Sequence, residues 1–169
     1  MRLGLLGETR RVWAPRGVKV VQEVQYSYKW TYLNLAVNGL TGKLHWSWMD
    51  NMKGNSIAPV VKDWADEGVE VIVWDGAKGH HGDAYNGVEV KRLQQPPYSP
   101  ELNPAERVFE ALRDKVEGVV YGTLAKKKRA VEAELQKLAA FPERVKRLAG
   151  WPWIRKAMAS LEEKIMASH

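Results

Sequence analysis

PPYSPELNPAERVFEALRDKV, residues 96 to 116, is a stiff extended approach running into a helix. Pro96, Pro97 and Pro100 lock φ and disfavour helix in the residues before them. Asn103 is a good N-cap, and Pro104 follows at the first helical position, where a missing N–H is not needed. Ala105, Phe109, Leu112 and Val116 then recur at helical spacing and predict a face turned to a core. Glu106 falls in the first turn, where the helix dipole favours a carboxylate. Spacing alone leaves two roles for it. Three residues after Asn103, it can close a capping box on the cap's backbone N–H. A pre-ordered carboxylate at a helix end can also serve as a metal ligand, though spacing alone points first to the capping box.

Outward from this helix, the chain divides by its periodicities. Residues 2–6, RLGLL, read as the remnant of a strand, and Trp13-Ala14-Pro15-Arg16-Gly17 as a turn. Tyr26, Tyr28, Trp30 and Tyr32 alternate with Ser27, Lys29 and Thr31. Leu33, Leu35 and Val37 continue the alternation on the other face, which calls for a bulge. Asn38-Gly39 and Thr41-Gly42 mark a reversal, and Leu44, Trp46 and Trp48 alternate again. The expectation is a three-stranded antiparallel meander within residues 18–49. Ile57, Val60, Val61 and Trp64 then take helical spacing, with Asn55 as cap, Pro59 in the first turn and Gly68 as the stop. Val69–Trp74 is a short apolar run suited to a buried strand, ended by Asp75, and Val88–Leu93 is a second strand. The last third is helical: Leu124, Val131, Leu135 and Leu138 form one stripe after Thr123. Ile154, Ala157, Met158, Leu161 and Ile165 form another, opened by Pro152.

Asp75 also has two readings from pattern. A carboxylate just past the end of a buried strand lies where open α/β sheets bind ligands. An Asp followed by Gly76 equally begins a turn. His80 and His81 follow, His80 as a metal or phosphate contact and His81 as a solvated loop residue. Four His and no Cys make a zinc site a poor fit. Lys126-Lys127-Lys128-Arg129 is a basic run on a helix, and Arg10, Arg11, Arg16 and Lys19 flank the first turn. Such charges are either ordinary solvated surface or phosphate contacts.

The run Tyr98-Ser99-Pro100-Glu101-Leu102-Asn103-Pro104-Ala105-Glu106 resembles the S-P-x-L-N-P-x-E signature of mariner-type DDE transposases of bacterial insertion sequences. The strand ending in Asp75-Gly76-Ala77-Lys78-Gly79-His80 is similar to that family's hydrophobic strand followed by D-N-A-x-x-H, with Gly76 in place of the usual Asn. Trp13–Gly17 resembles its W-x-P-x-G block. The resemblance runs from Trp13 to Arg113. It implies an RNase H-like mixed sheet flanked by helices, with Asp75 as the second and Glu106 as the third catalytic, metal-binding acid. It gives His80 and Asn103 supporting roles and Mg²⁺ or Mn²⁺ as cofactor. It implies DNA, both transposon ends and target, as partner; on the phosphate-contact reading of the charges, Arg10, Arg11, Arg16 and the 126–129 run would meet it.

The same resemblance sets an expectation of what is missing. The family's first catalytic Asp precedes the W-x-P-x-G block, and Glu8 lies too close to Trp13 to align with it. The family's end-reading helix-turn-helix region is likewise not found. The expected organisation is a catalytic domain over residues 1–121 with a truncated first strand, and a helical extension over 122–169 packed on it. The expected function is a transposase core for metal-dependent DNA cleavage and strand transfer, inactive alone. A homodimer, or a separate chain supplying the N-terminal part, is the protein partner this implies. The alternative is a non-catalytic remnant, a DNA-binding or dimerising module that keeps the fold. A third reading is a different RNase H-like nuclease.

Composition sets the outer bounds. At 169 residues, one domain with a proper core is expected. The 45% hydrophobic and 27% charged content is that of a soluble globular chain. The absence of cysteine excludes disulfides and thiolate sites and fits a cytoplasmic location. There is no apolar run long enough for a membrane span. A net charge of +6 permits a polyanionic partner.

Overall fold

The computed structural model describes residues 1–7 and 13–167. Three strands form an antiparallel sheet in the order β1 (Arg2–Gly4), β2 (Trp30–Val37), β3 (Leu44–Met49). Helix α1 (Gly54–Asp66) leads to a parallel pair, β4 (Val71–Trp74) and β5 (Lys91–Gln94). Helices α2 (Pro104–Val116), α3 (Leu124–Ala139), α4 (Pro142–Ala149) and α5 (Pro152–Met166) complete the chain. Among the described residues the antiparallel and parallel strands form two sheets, where one mixed sheet was expected.

The meander differs from expectation in its third strand. Residues 18–29 form no regular ladder, and the strand beside β2 is β1. The irregular segment still returns along β1, with Leu5 N–H donating to Lys29 O (3.0 Å) and Gly7 N–H to Gln25 O (2.8 Å). Its apolar side chains find no core: Val21, Tyr26 and Tyr28 are each more than three-quarters exposed. Nor is there a bulge between Tyr32 and Leu33, because the β2–β3 register runs unbroken from Tyr32↔Met49 to Val37↔Leu44. The buried face of β2 is Thr31, Leu33 and Leu35. Alternation misassigns Thr31 as solvent-facing; its hydroxyl is satisfied internally by donating to Met49 O (3.0 Å).

Two apolar cores result. The first joins Leu3, Leu33, Leu35 and Leu44 to Val108, Phe109, Leu112 and Val116 of α2, and to Val131, Leu135 and Val145 of α3 and α4. The second joins Met49 to Ile57, Val61 and Trp64 of α1, Ile72 and Trp74 of β4, and Tyr85 and Val90. Glu132 of α3 ties the first core across β3, accepting from the indole N–H groups of Trp46 (3.0 Å) and Trp48 (2.7 Å).

Helix ends follow local chemistry with some shifts. Helix α1 starts at Gly54, after extended Lys53, so Asn55 lies inside it and Pro59 falls in its second turn. Gly68, at φ +90°, ends it as expected, a backbone conformation that side chains other than glycine resist. Thr123 caps α3 by accepting from Lys126 N–H (3.3 Å). Strand β5 begins three residues later than the apolar run suggests, since Val90 packs within the second core, Val88 lies at its fringe, and only 91–94 pair with β4. In α5, Ile154 is buried but Ala157 is exposed, so the expected stripe is only partly used; the side chain of Ile165 lies outside the described residues.

Candidate active site

Asp75 is the first residue beyond β4. Ile72 and Trp74 turn into the second core, so strand alternation sends Asp75 away from it, and its carboxylate is 59% exposed. Oδ1 accepts from the backbone N–H of Ala77 (3.0 Å), closing a turn through Gly76. The strand-end and turn readings are therefore both realised by one residue. Nδ1 of His80 lies 2.9 Å from Oδ1 and 3.0 Å from the carbonyl oxygen of Asp75. Both neighbours are acceptors, so Nδ1 carries the proton. The imidazole is fixed from behind by stacking on Trp74, with ring centroids 4.5 Å apart and planes 6° from parallel.

Glu106 is half-buried in the first turn of α2. Asn103 caps that helix, its Oδ1 accepting from Ala105 N–H (3.0 Å). The reciprocal half of a capping box is not made. The N–H of Asn103 already donates to Pro100 O (3.0 Å) within a 3-10 turn over Pro100–Leu102. That turn leaves no orphan donor for Glu106 to satisfy. The Glu106 carboxylate makes no hydrogen bond or ion pair among the described residues. Just upstream, Tyr98 holds φ at +57° and is fully exposed.

The α-amine of Met1 feels both acids at a distance. It donates to Leu33 O (2.6 Å) at the head of β1. Burial pushes it down from 8.0 to about 6; Glu106 pulls it up, Arg113 pushes it down and Asp75 pulls it up. Among the described residues, no group of three or more His, Asp or Glu is placed to hold a metal ion. The two acids offer hard oxygen donors suited to Mg²⁺ or Mn²⁺, with one Asp75 oxygen already engaged and Glu106 uncommitted.

The basic residues divide. Arg16 is exposed at its turn, and Lys126 and Arg129 are exposed on α3. Lys127 departs from the phosphate-contact expectation: it is buried, and its ammonium donates to Gly4 O (2.7 Å), fastening β1 to α3. A helix turns 100° per residue, so four consecutive cations cannot share one face. Lys128 lies 4.9 Å over the Trp48 ring. Arg10, Arg11 and Glu8 lie outside the described residues. Sequence reading missed Arg92 and Gln94, which alternate along β5 beside Asp75; the period-2 spacing was the available signal.

With this geometry in hand, comparison with solved structures is informative. The Mos1 transposase paired-end complex with left transposon end matches over 89% of this chain at 11% identity and a TM-score of 0.55. The Mos1 strand transfer complex matches over 89% at 11% identity and a TM-score of 0.57. The chain has the fold of these transposases. It spans about half their length, 54% and 52% of the two chains. No protein-family profile and no curated protein sequence matches it. No helix among the described residues is long and apolar enough to cross a membrane.

Proposed function

We propose that this chain is the RNase H-like catalytic core of a DDE transposase of the kind found in bacterial insertion sequences, and that Asp75 and Glu106 hold a divalent ion, Mg²⁺ or Mn²⁺, against DNA. The observation that carries this reading is that a strand-end acid held by His80 and a first-turn helix acid left without a hydrogen-bond partner among the described residues lie in a fold shared with transposases. When bound, the metal supplies charge neutralisation at the attacking and leaving oxygens of phosphoryl transfer. The chain's own contribution is positional. Asn103 fixes the helix end that presents Glu106, and His80 orients the Asp75 carboxylate through Nδ1–H. The partner is DNA, transposon ends and target, and the setting is the cytoplasm.

With only Asp75 and Glu106 as ligands on this reading, the chain holds one ion weakly and neither nicks nor joins transposon-end DNA at a useful rate. Loss of one electrostatic stabiliser of this kind lowers rate by about 10²–10³. That is also what a non-catalytic DNA-binding or dimerising module would show, so metal binding separates the two readings. Addition of Mn²⁺ should broaden amide NMR signals of Ala77 and Glu106 together, and Asp75→Asn with Glu106→Gln should abolish the effect. Broadening that survives the double substitution, or that touches only one of the two segments, removes the shared site.

A further inference from the structure

Behind Asp75, on the other side of His80, lies a cleft of about 230 Å³ lined by Trp74, His80, His81, Gly82, Arg92 and Gln94. No carboxylate lines it. Arg92 and Gln94 stand opposite Ile72 and Trp74 in the parallel register, so both project to the same face of the pair. We propose that this cleft takes a backbone phosphodiester of DNA, a neighbour of the one held at Asp75; the inference rests on the DNA-transposase reading above.

The cleft is built rather than incidental. The Arg92 guanidinium lies 5.0 Å over the ring of Tyr85. Tyr85 is only 1% exposed, and its hydroxyl donates to Gly79 O (2.6 Å), so the platform cannot move away. Gly79 is itself pressed onto the second core's edge: a Cβ there would collide with the Met52 carbonyl. Arg92 is therefore pre-oriented, and among the described residues no carboxylate pairs with it. Its fork of N–H donors matches a phosphate's oxygens. Gln94 adds a neutral donor. Its Nε2 lies 2.7 Å from where a Cβ of residue 76 would stand, so the amide packs directly over Gly76, the residue after Asp75. His80 links the two places, bonded to Asp75 through Nδ1 and lining the cleft with the rest of its ring. An open cleft that holds a guanidinium and no carboxylate, next to the acid of the proposed phosphoryl-transfer site, suits a phosphate that continues along a strand.

The test is anisotropy of a labelled DNA duplex titrated with the full chain over a range of salt concentrations. Arg92→Ala should weaken binding and make the slope of log affinity against log salt shallower by about 0.9, the loss of one phosphate contact. Arg92→Lys should retain the slope because the charge remains. Gln94→Ala should weaken binding without changing the slope. An Arg92→Ala variant with parental affinity and slope, while the parent binds well, overturns this subsite alone. A loss shared by Arg92→Lys and accompanied by a lowered melting midpoint also overturns it, since Arg92 would then merely brace Tyr85. Failure of the parent to bind any duplex removes the DNA reading and this subsite together.

Discussion

Glu106 stands on a helix whose inner face, Val108, Phe109, Leu112 and Val116, closes a core shared with the antiparallel sheet, α3 and α4. Asp75 follows a four-residue strand whose only ladder partner among the described residues is β5, and Val73 in that strand is half exposed. The two acids therefore rest on different foundations. One is over-determined by layers on several sides. The other depends on α1, the Trp74–His80 stack and a loop pinned through Tyr85. On the proposed reading, a phosphoryl-transfer site needs fixed ligands and room for DNA, and the difference would give fixity to the Glu106 side and access to the Asp75 side.

The largest expected effect tests that asymmetry directly. Leu112→Ala should lower stability by about 2–5 kcal/mol, as truncation of a buried Leu does. Ile57→Ala in the second core is expected to lose a comparable amount, since Ile57 is equally buried. The two should part in amide hydrogen exchange. Leu112→Ala should raise exchange throughout, whereas Ile57→Ala should raise it in α1, β4 and β5 and leave α2 protected. Uniform exchange in both variants would break the comparison.

The Met1 amine sharpens the point where the two foundations meet. Its value is about 6 folded and 8.0 as the ordinary reference. Between these pH values the unfolded chain binds a proton that the folded chain does not. Stability of a protein beginning at Met1 should therefore rise from pH 6 to pH 8, by about 2–3 kcal/mol at most, and the gain should be lost below pH 6. Urea midpoints across that window would show it. Glu106→Gln should push the amine lower still, because Glu106 pulls it up. A titration of the isotopically labelled amine that does not move in this variant would separate Glu106 from the Met1 corner.

Smaller effects probe the helix end itself. Asn103→Ala should lower stability by about 1 kcal/mol through loss of the cap to Ala105. Glu106→Gln should lose only about 0.3–1 kcal/mol, its interaction with the helix dipole, because no reciprocal cap is present. A loss at Glu106 exceeding that at Asn103, measured by denaturant unfolding, would reinstate the capping-box role.

Much of the architecture was legible because it rests on local rules. Pro104 and Asn103 set the start of α2, Thr123 that of α3, and Gly68 the end of α1. Ala105, Phe109, Leu112 and Val116 of one helical stripe and Val131, Leu135 and Leu138 of the other are buried as their spacing requires, while Leu124 is half-buried. Misreadings arose where distant chain decides. Tyr26 and Tyr28 alternate like a strand, yet the place beside β2 is taken by Arg2–Gly4. Thr31 looks like a surface residue until Met49 O is brought to it. Lys127 looks like one of four surface cations until α3 sets it against Gly4.

What the sequence by itself determined is which residues can be acids at element ends. A strand run stops at Asp75, and an Asn-Pro start puts Glu106 one turn into a helix; both follow from φ restriction, hydrophobic period and capping chemistry within a few residues. Only the tertiary structure decided what those acids face. It satisfied Asn103 N–H within a 3-10 turn and so left Glu106 uncommitted. It stacked His80 on Trp74 against Asp75, and it laid Gln94 over Gly76 with Arg92 on Tyr85. These outcomes turn on donors, acceptors and rings brought together from separate elements, and no local spacing encodes which partner will satisfy a buried group.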